Sequence, residues 1–307
     1  MSLTSHLRDK TSPVREWFLT NLAATRPTVS AGNGALCGSP RSSPLLMPPE
    51  GCDLALSGTA IDYLIRASLS RNALDHTVSQ SGAKLVDARE SGAGVRLQRE
   101  AVAVIESLVP WRGLPQGDGL LELCRMCLVL ARFEQFFRAG LRVWAYVGEP
   151  LLDRPSLEVF ADRVVLPACL RDLIGMAEAV IEDSAYLRDA RPLVLNPVFD
   201  LSVALGGADA DVIAGRTLWD FKSSARVAGV FSREDLWQLL GYALADQSHA
   251  YELACVGITA LRRRRRVRWD IASLLADLSG ESRPLELWRA EFAGAVSGAD
   301  AQGLGVA

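Results

Sequence analysis

The chain has 307 residues, 49% hydrophobic and 22% charged, which leaves room for one large domain or two modest ones. A net charge of -3 and an isoelectric point near 5.7 exclude a bulk polyanion binder, so any nucleic-acid contact has to come from a local patch. Six scattered cysteines give no disulfide framework, no apolar run is long enough to span a membrane, and the opening MSLTSHLRDK lacks the apolar core of a secretory signal, so a cytoplasmic protein is expected.

No internal repeat is visible. Residues 1–52 read as an arm: a short helix from Val14 to Leu22, then a loop rich in Pro, Ser and Gly from Thr25 to Gly51. A helix is predicted from Leu54 to Arg71, with Ser57 or Thr59 near its start and Asp62 and Arg66 as a surface i,i+4 pair. Residues 72–119 are mixed, with a helix over Leu97 to Leu108 and a turn at Pro110-Trp-Arg-Gly.

Leu120 to Phe137 is the strongest helix pattern. Its apolar stripe runs through Leu123, Cys127 and Leu130 to Glu134, so an acid falls in line with the core. Burying an unpartnered carboxylate costs on the order of several kcal/mol, and Arg138, one turn on, is the simplest counter-charge. Cys124 and Cys127 make one CxxC inside this helix with no second pair, and read as core cysteines. Leu141 to Val147 is expected to be a strand, Leu157 to Phe160 and Leu170 to Ile181 helical, and Leu193-Val-Leu a strand.

The stretch from Gly206 to Tyr242 carries the chemistry. Asp209, Asp211 and Asp220 lie among Val212, Ile213, Leu218 and Trp219, where a purely structural strand rarely tolerates acids. A two-residue loop at Ala214-Gly215 would close a hairpin with Ile213 opposite Arg216, Asp211 opposite Leu218 and Asp209 opposite Asp220. Alternation along the strands then puts Asp209, Asp211, Asp220 and Lys222 on one face. Crowded carboxylates repel. A magnesium ion, which takes one or two carboxylates plus waters and a phosphate, would reverse that, and Lys222 would stand beside its water. The bland alternative is a polar hairpin with a surface salt bridge, and Asp209 and Asp211 compete as the principal ligand.

Ser232 followed by Asp235 reads as a helix N-cap with its acid, and Leu236 to Leu244 has helical spacing. Gln238 and Tyr242, four apart, share a face with Asp235, against an apolar stripe of Leu236, Leu239, Leu240 and Ala243. Tyr251 to Ala260 reads as a buried strand. Beyond it Arg262, Arg263, Arg264, Arg265, Arg266 and Arg268 form a basic run, either a solvated turn or a contact for a phosphate backbone. A last strand is expected from Val267, a helix from Ile271 to Leu278, and a loose tail from Gly294.

The order acid, hairpin, Asp220-Phe221-Lys222, then Gln238-Leu-Leu-Gly-Tyr242 on a helix, resembles the PD-(D/E)XK nuclease superfamily, in its RecB-like branch with a QxxxY motif. The resemblance covers residues 193–270. It implies an α/β fold, a restriction-endonuclease-like mixed sheet flanked by helices, with a mostly helical N-terminal half. It also implies a magnesium-dependent deoxyribonuclease, with manganese able to substitute, that hydrolyses DNA phosphodiester bonds in repair, recombination or defence against foreign DNA. In that reading Asp211 and Asp220 hold the metal, Lys222 assists the water, Gln238 and Tyr242 organise the site, and Glu134 matches the helix-borne extra ligand of such folds. The family's upstream histidine has no counterpart in His6, His76 or His249, and no iron-sulfur cluster is expected. The domains implied are an arm over 1–52, a mostly helical region over 53–190 packing on the core, a nuclease core over 191–285 and a tail over 286–307. The alternative is a non-cleaving DNA-binding or scaffold subunit using the N-terminal half to meet a protein partner.

Overall fold

The computed structural model describes residues 2–303 apart from 39–44, 71–72, 75–76, 90–91, 110–112, 184 and 207–209. The chain divides into two compact units, one made of Met1–Leu45 with Asp189–Ala307 and the other of Leu46–Arg188. Among the described residues no helix is long and apolar enough to cross a membrane.

The first unit opens with α1 (Leu3–Arg8), α2 (Pro13–Asn21) and α3 (Thr25–Cys37). The second unit is helical: α4 (Leu54–Leu69), α5 (Val78–Asp87), α6 (Ala93–Leu108), α7 (Asp118–Ala139), α8 (Trp144–Val147), α9 (Leu157–Val164), α10 (Pro167–Asp183) and α11 (Ala185–Arg188). The first unit then resumes with β1 (Leu193–Leu195), β2 (Val212–Ala214), β3 (Thr217–Lys222), α12 (Arg233–Ala245), β4 (Cys255–Ala260), β5 (Arg265–Asp270), α13 (Ile271–Ser279) and α14 (Leu285–Gly303).

These strands form one mixed sheet in the order β1-β2-β3-β4-β5. β1, β2 and β3 pair antiparallel, α12 carries the chain across so that β4 runs parallel to β3, and β5 returns antiparallel. The expectation of a mixed α/β fold with a helical N-terminal half therefore holds. α12 is apolar nearly all round, as a central helix must be. One core joins its Leu236, Leu239, Leu240 and Ala243 to Ile213, Leu218, Val256 and Ile258 of the sheet.

Several local expectations are corrected. The span from Thr25 to Gly51 is not all loop, because α3 occupies its first part. Pro27 falls in the first turn, where a missing N–H is harmless, and Asn33 fixes the helix from afar. Its carboxamide oxygen accepts from Val230 N at 2.6 Å and Phe231 N at 3.1 Å, while its nitrogen donates to the Phe231 carbonyl at 2.9 Å. The arm up to Leu45 and the tail fall in the first unit together with the sheet. Instead of a loose tail from Gly294, α14 runs through Gly294 and Gly298 and buries Trp288, Phe292 and Val296, with Trp17 of α2 edge-on to both aromatic rings. Burial of that stripe overrides the weak helix propensity of its glycines.

Leu141 to Val147 is not a strand. Gly140, at φ 58°, ends α7, and a 3-10 turn over Gly140–Val143 leads into α8, with Val147 alone buried. α5 occupies part of the mixed stretch 72–119, and Gly82 lets it cross α7 so closely that a Cβ there would overlap the Phe133 carbonyl. The expected turn at Pro110 lies mostly outside the described residues. α4 is capped by Asp53, whose carboxylate accepts from the amides of Ala55 and Leu56, rather than by Ser57 or Thr59.

Candidate active site

The hairpin register differs from expectation by two residues. Ala214 pairs with Thr217 and Val212 with Trp219, so the two-residue loop is Gly215-Arg216, with Gly215 at φ 63° supplying the left-handed backbone such turns require. Extending that ladder by one step brings Asp211, not Asp209, opposite Asp220. An even shift preserves which face each side chain takes, so the gathering of Asp211, Asp220 and Lys222 survives the correction. Asp209 lies outside the described residues.

Asp211 ends the approach to β2. Its backbone carbonyl accepts from Asn196 N at 3.3 Å, and its Oδ2 accepts from Phe221 N at 2.9 Å, which ties the side chain to β3 between Asp220 and Lys222. Asp220 and Lys222 point to the side covered by α12. Lys222 Nζ is 3.1 Å from Asp220 Oδ2 and 2.7 Å from Asp235 Oδ1. The Lys222 and Asp220 side chains are 20% and 21% exposed, so the cluster is largely dehydrated yet reachable from solvent.

The electrostatics follow from that geometry. Burial pushes the Asp220 carboxyl up to about 7, with the Asp211 and Asp235 carboxylates adding to the rise and Lys222 opposing it. Burial alone would pull the Lys222 ammonium down, but Asp220 and Asp235 outweigh it and hold the amine firmly protonated. For Asp235 burial is outweighed by Lys222 and by hydrogen bonds from Ser232, and its carboxyl is lowered.

Asp235 is the site residue that motif reading passed over. Its Oδ2 accepts from Ser232 N and Ser232 Oγ, both at 2.7 Å, completing a capping box at the start of α12 while Oδ1 faces Lys222. The sequence signal was its position as the capping acid. One and two turns on, Gln238 Nε2 donates to Tyr242 Oη at 2.7 Å and to Thr4 Oγ1 of α1 at 3.1 Å. Phe199 stacks on the Tyr242 ring at 5.9 Å and an interplanar angle of 15°. Gln238 and Tyr242 are therefore held in one arrangement rather than lining a wet face. Nothing in the sequence pointed to Thr4 or Phe199.

The arginine run divides. Arg262 and Arg263 are buried and work as backbone clamps, Arg262 donating to the Ser223 carbonyl at 2.7 Å and Arg263 to those of Cys37, Arg226 and Val227. Arg265 donates to the Ala35 carbonyl at 3.1 Å, in the last turn of α3, where a cation complements the helix dipole. Arg264, Arg266 and Arg268 are exposed, so the expected six-arginine surface shrinks to these three. The last strand begins at Arg265 rather than Val267, since Arg264 adopts a left-handed conformation at φ 51° and turns the chain.

Glu134 belongs to the second unit. Tyr63 Oη donates to its Oε2 at 2.6 Å, and Arg138 donates to its Oε1 from Nε at 2.8 Å and from Nη2 at 2.6 Å. The bland partner is thus in place, with a tyrosine added, and both oxygens are used. Cys124 and Cys127 are buried core thiols of α7, pushed up by burial, Cys124 to about 12.

Among the described residues no three His, Cys, Asp or Glu side chains gather as metal ligands. The pair of Asp211 and Asp220 nevertheless suits a hard divalent ion, which takes one or two carboxylates and completes its shell with water and phosphate. Asp220 Oδ2 is sealed from solvent with the Lys222 ammonium 3.1 Å away, so a cation held by this carboxylate would share it with the amine.

Comparison of the chain with protein-family models, with curated proteins and with solved structures finds no match.

Proposed function

We propose that the chain is a magnesium-dependent deoxyribonuclease with a restriction-endonuclease-like core of the PD-(D/E)XK type, acting in the cytoplasm on DNA in repair, recombination or defence. The observation that carries this reading is the half-buried cluster of Asp220, Lys222 and Asp235 beside Asp211. A cluster of this kind contributes little net stability, because dehydrating the charges offsets their attraction. Its location also supports the reading: it sits at the carboxyl end of β3, where the chain leaves for α12 and the parallel strand β4, a region that open α/β sheets use for ligands.

In this mechanism Asp211 and Asp220 would hold the ion. Bound there, magnesium supplies a Lewis acid and a water of lowered pKa. Lys222, held as an ammonium, is no general base. It donates hydrogen bonds, orienting the attacking water and stabilising the charge that grows on the phosphoryl oxygens in the transition state. Asp235, 2.7 Å from the same amine, is a second fixed partner for it. Gln238 and Tyr242, held against Thr4 and Phe199, brace the helix that carries Asp235, and the exposed Arg264, Arg266 and Arg268 meet phosphates without reading sequence.

The test is cleavage of linear, nicked and single-stranded DNA by the purified chain with magnesium. Cleavage by the parent protein and its loss in Lys222→Ala and Asp220→Asn, with melting curves showing both folded, is the expected result. Equal cutting by all three proteins would defeat the reading.

A further inference from the structure

The second unit holds a pair of thiols placed for covalent chemistry. Cys52 immediately precedes the Asp53 cap of α4, and Cys169 lies in the first turn of α10. Their Sγ atoms are 3.8 Å apart although 117 positions separate them in sequence. Cys52 is half-buried, within reach of a small solute, while Cys169 is buried behind it. The Asp53 backbone N–H donates to Cys169 Sγ at 3.2 Å, holding that sulfur at the start of α4. Ser57 Oγ stands 3.2 Å and Asp172 Oδ2 3.5 Å from Cys52 Sγ.

We propose that Cys52 and Cys169 are a reversible oxidation site, forming a disulfide that clasps the start of α4 to α10. A disulfide needs its sulfurs at about 2 Å, and side-chain rotation at two adjacent thiols closes that gap more readily than backbone movement does. The oxidant is a low-molecular-weight disulfide such as oxidised glutathione. Cys52 attacks one of its sulfurs, releasing one reduced thiol and leaving a mixed disulfide. The Cys169 sulfur then attacks the Cys52 sulfur and expels the second thiol. Two protein thiols lose two electrons and two protons, and one small disulfide becomes two thiols. Burial, with Asp172 and Cys169 adding, pushes the Cys52 thiol up to about 12, so the thiolate is scarce and the first step slow near neutrality. The bond would close a long loop within the unit and restrain its unfolded chain.

The experiment incubates the full chain with oxidised glutathione at mildly alkaline pH, then counts free thiols, maps the peptides and records melting. Expected are the loss of two of the six thiols, a peptide joining Cys52 to Cys169, a melting temperature several degrees higher, and full reversal by dithiothreitol. Cys52→Ser, a mild change at a half-exposed position, should abolish the crosslink. A lasting glutathione adduct on Cys52 with Cys169 still titratable, six unchanged thiols after prolonged exposure, or a crosslink through other cysteines would overturn the proposal.

Discussion

Asp235 reaches Lys222 with one carboxylate oxygen at 2.7 Å and caps the first turn of α12 with the other. One side chain thus links the helix that carries Gln238 and Tyr242 to the strand that carries Asp220. The two duties can be separated. Asp235→Asn keeps an oxygen for Ser232 but loses the charge facing Lys222, and should leave melting within a few degrees of the parent while lowering magnesium-dependent cleavage at least about tenfold. Asp235→Ala also loses the cap, a cost of about 1 kcal/mol. Cleavage rates beside thermal melts check both.

Asp220 makes stability depend on pH with a defined sign. Its carboxyl titrates near 7 in the fold and near the ordinary aspartate value, 3.8, when unfolded, so between these the native state binds the extra proton. Stability therefore falls as pH rises through that window. Asp220→Asn should melt a few degrees above the parent at pH 8 and show no such advantage at pH 4, as read by paired melting curves. Magnesium binding at pH 6 should release a proton, detectable by calorimetry in buffers of different ionisation enthalpy.

The arginines should separate into two classes. Replacing Arg264, Arg266 and Arg268 together with Ser should weaken DNA binding and reduce its salt slope by up to about three, without unfolding the chain. Arg262→Ala should instead destabilise the fold by about 2 kcal/mol, since it strips a buried charged donor from the Ser223 carbonyl. Salt titrations of binding and denaturant unfolding distinguish these outcomes.

Glu134 should behave as a structural acid. Glu134→Gln loses the charge paired with Arg138, and Glu134→Ala also leaves the buried Tyr63 hydroxyl proton without its acceptor, although Ser79 N still donates to that oxygen, at a further cost of about 1–3 kcal/mol. Neither change should alter magnesium affinity, measured by calorimetry.

Where side-chain period and local chemistry decide, the sequence was readable. Asp220 and Lys222, two apart on one strand, share a face whatever the turn, and Asp211 joins them whichever two residues close the hairpin, because both two-residue turns keep the same parity. The capping box at Ser232 and the helix of Gln238 and Tyr242 were equally plain. What escaped depends on contacts distant in sequence. The helix over Thr25–Cys37 is secured by Asn33 against Phe231 and by Thr25 against the Trp237 indole, pairings that leave no periodic trace. Arg262 and Arg263 look like the rest of their run until Arg264 turns the chain and leaves them inside. Gly294 and Gly298 read as tail because the partners of Trp288 and Phe292 lie at the other end of the chain.

The most direct test of the central claim is a crystal structure of the full chain with manganese, with the ion located by anomalous scattering. A peak is expected within ligating distance of carboxylate oxygens from both Asp211 and Asp220, beside Lys222. A chain that binds manganese elsewhere, or leaves that pair without an ion at saturating metal, would contradict it.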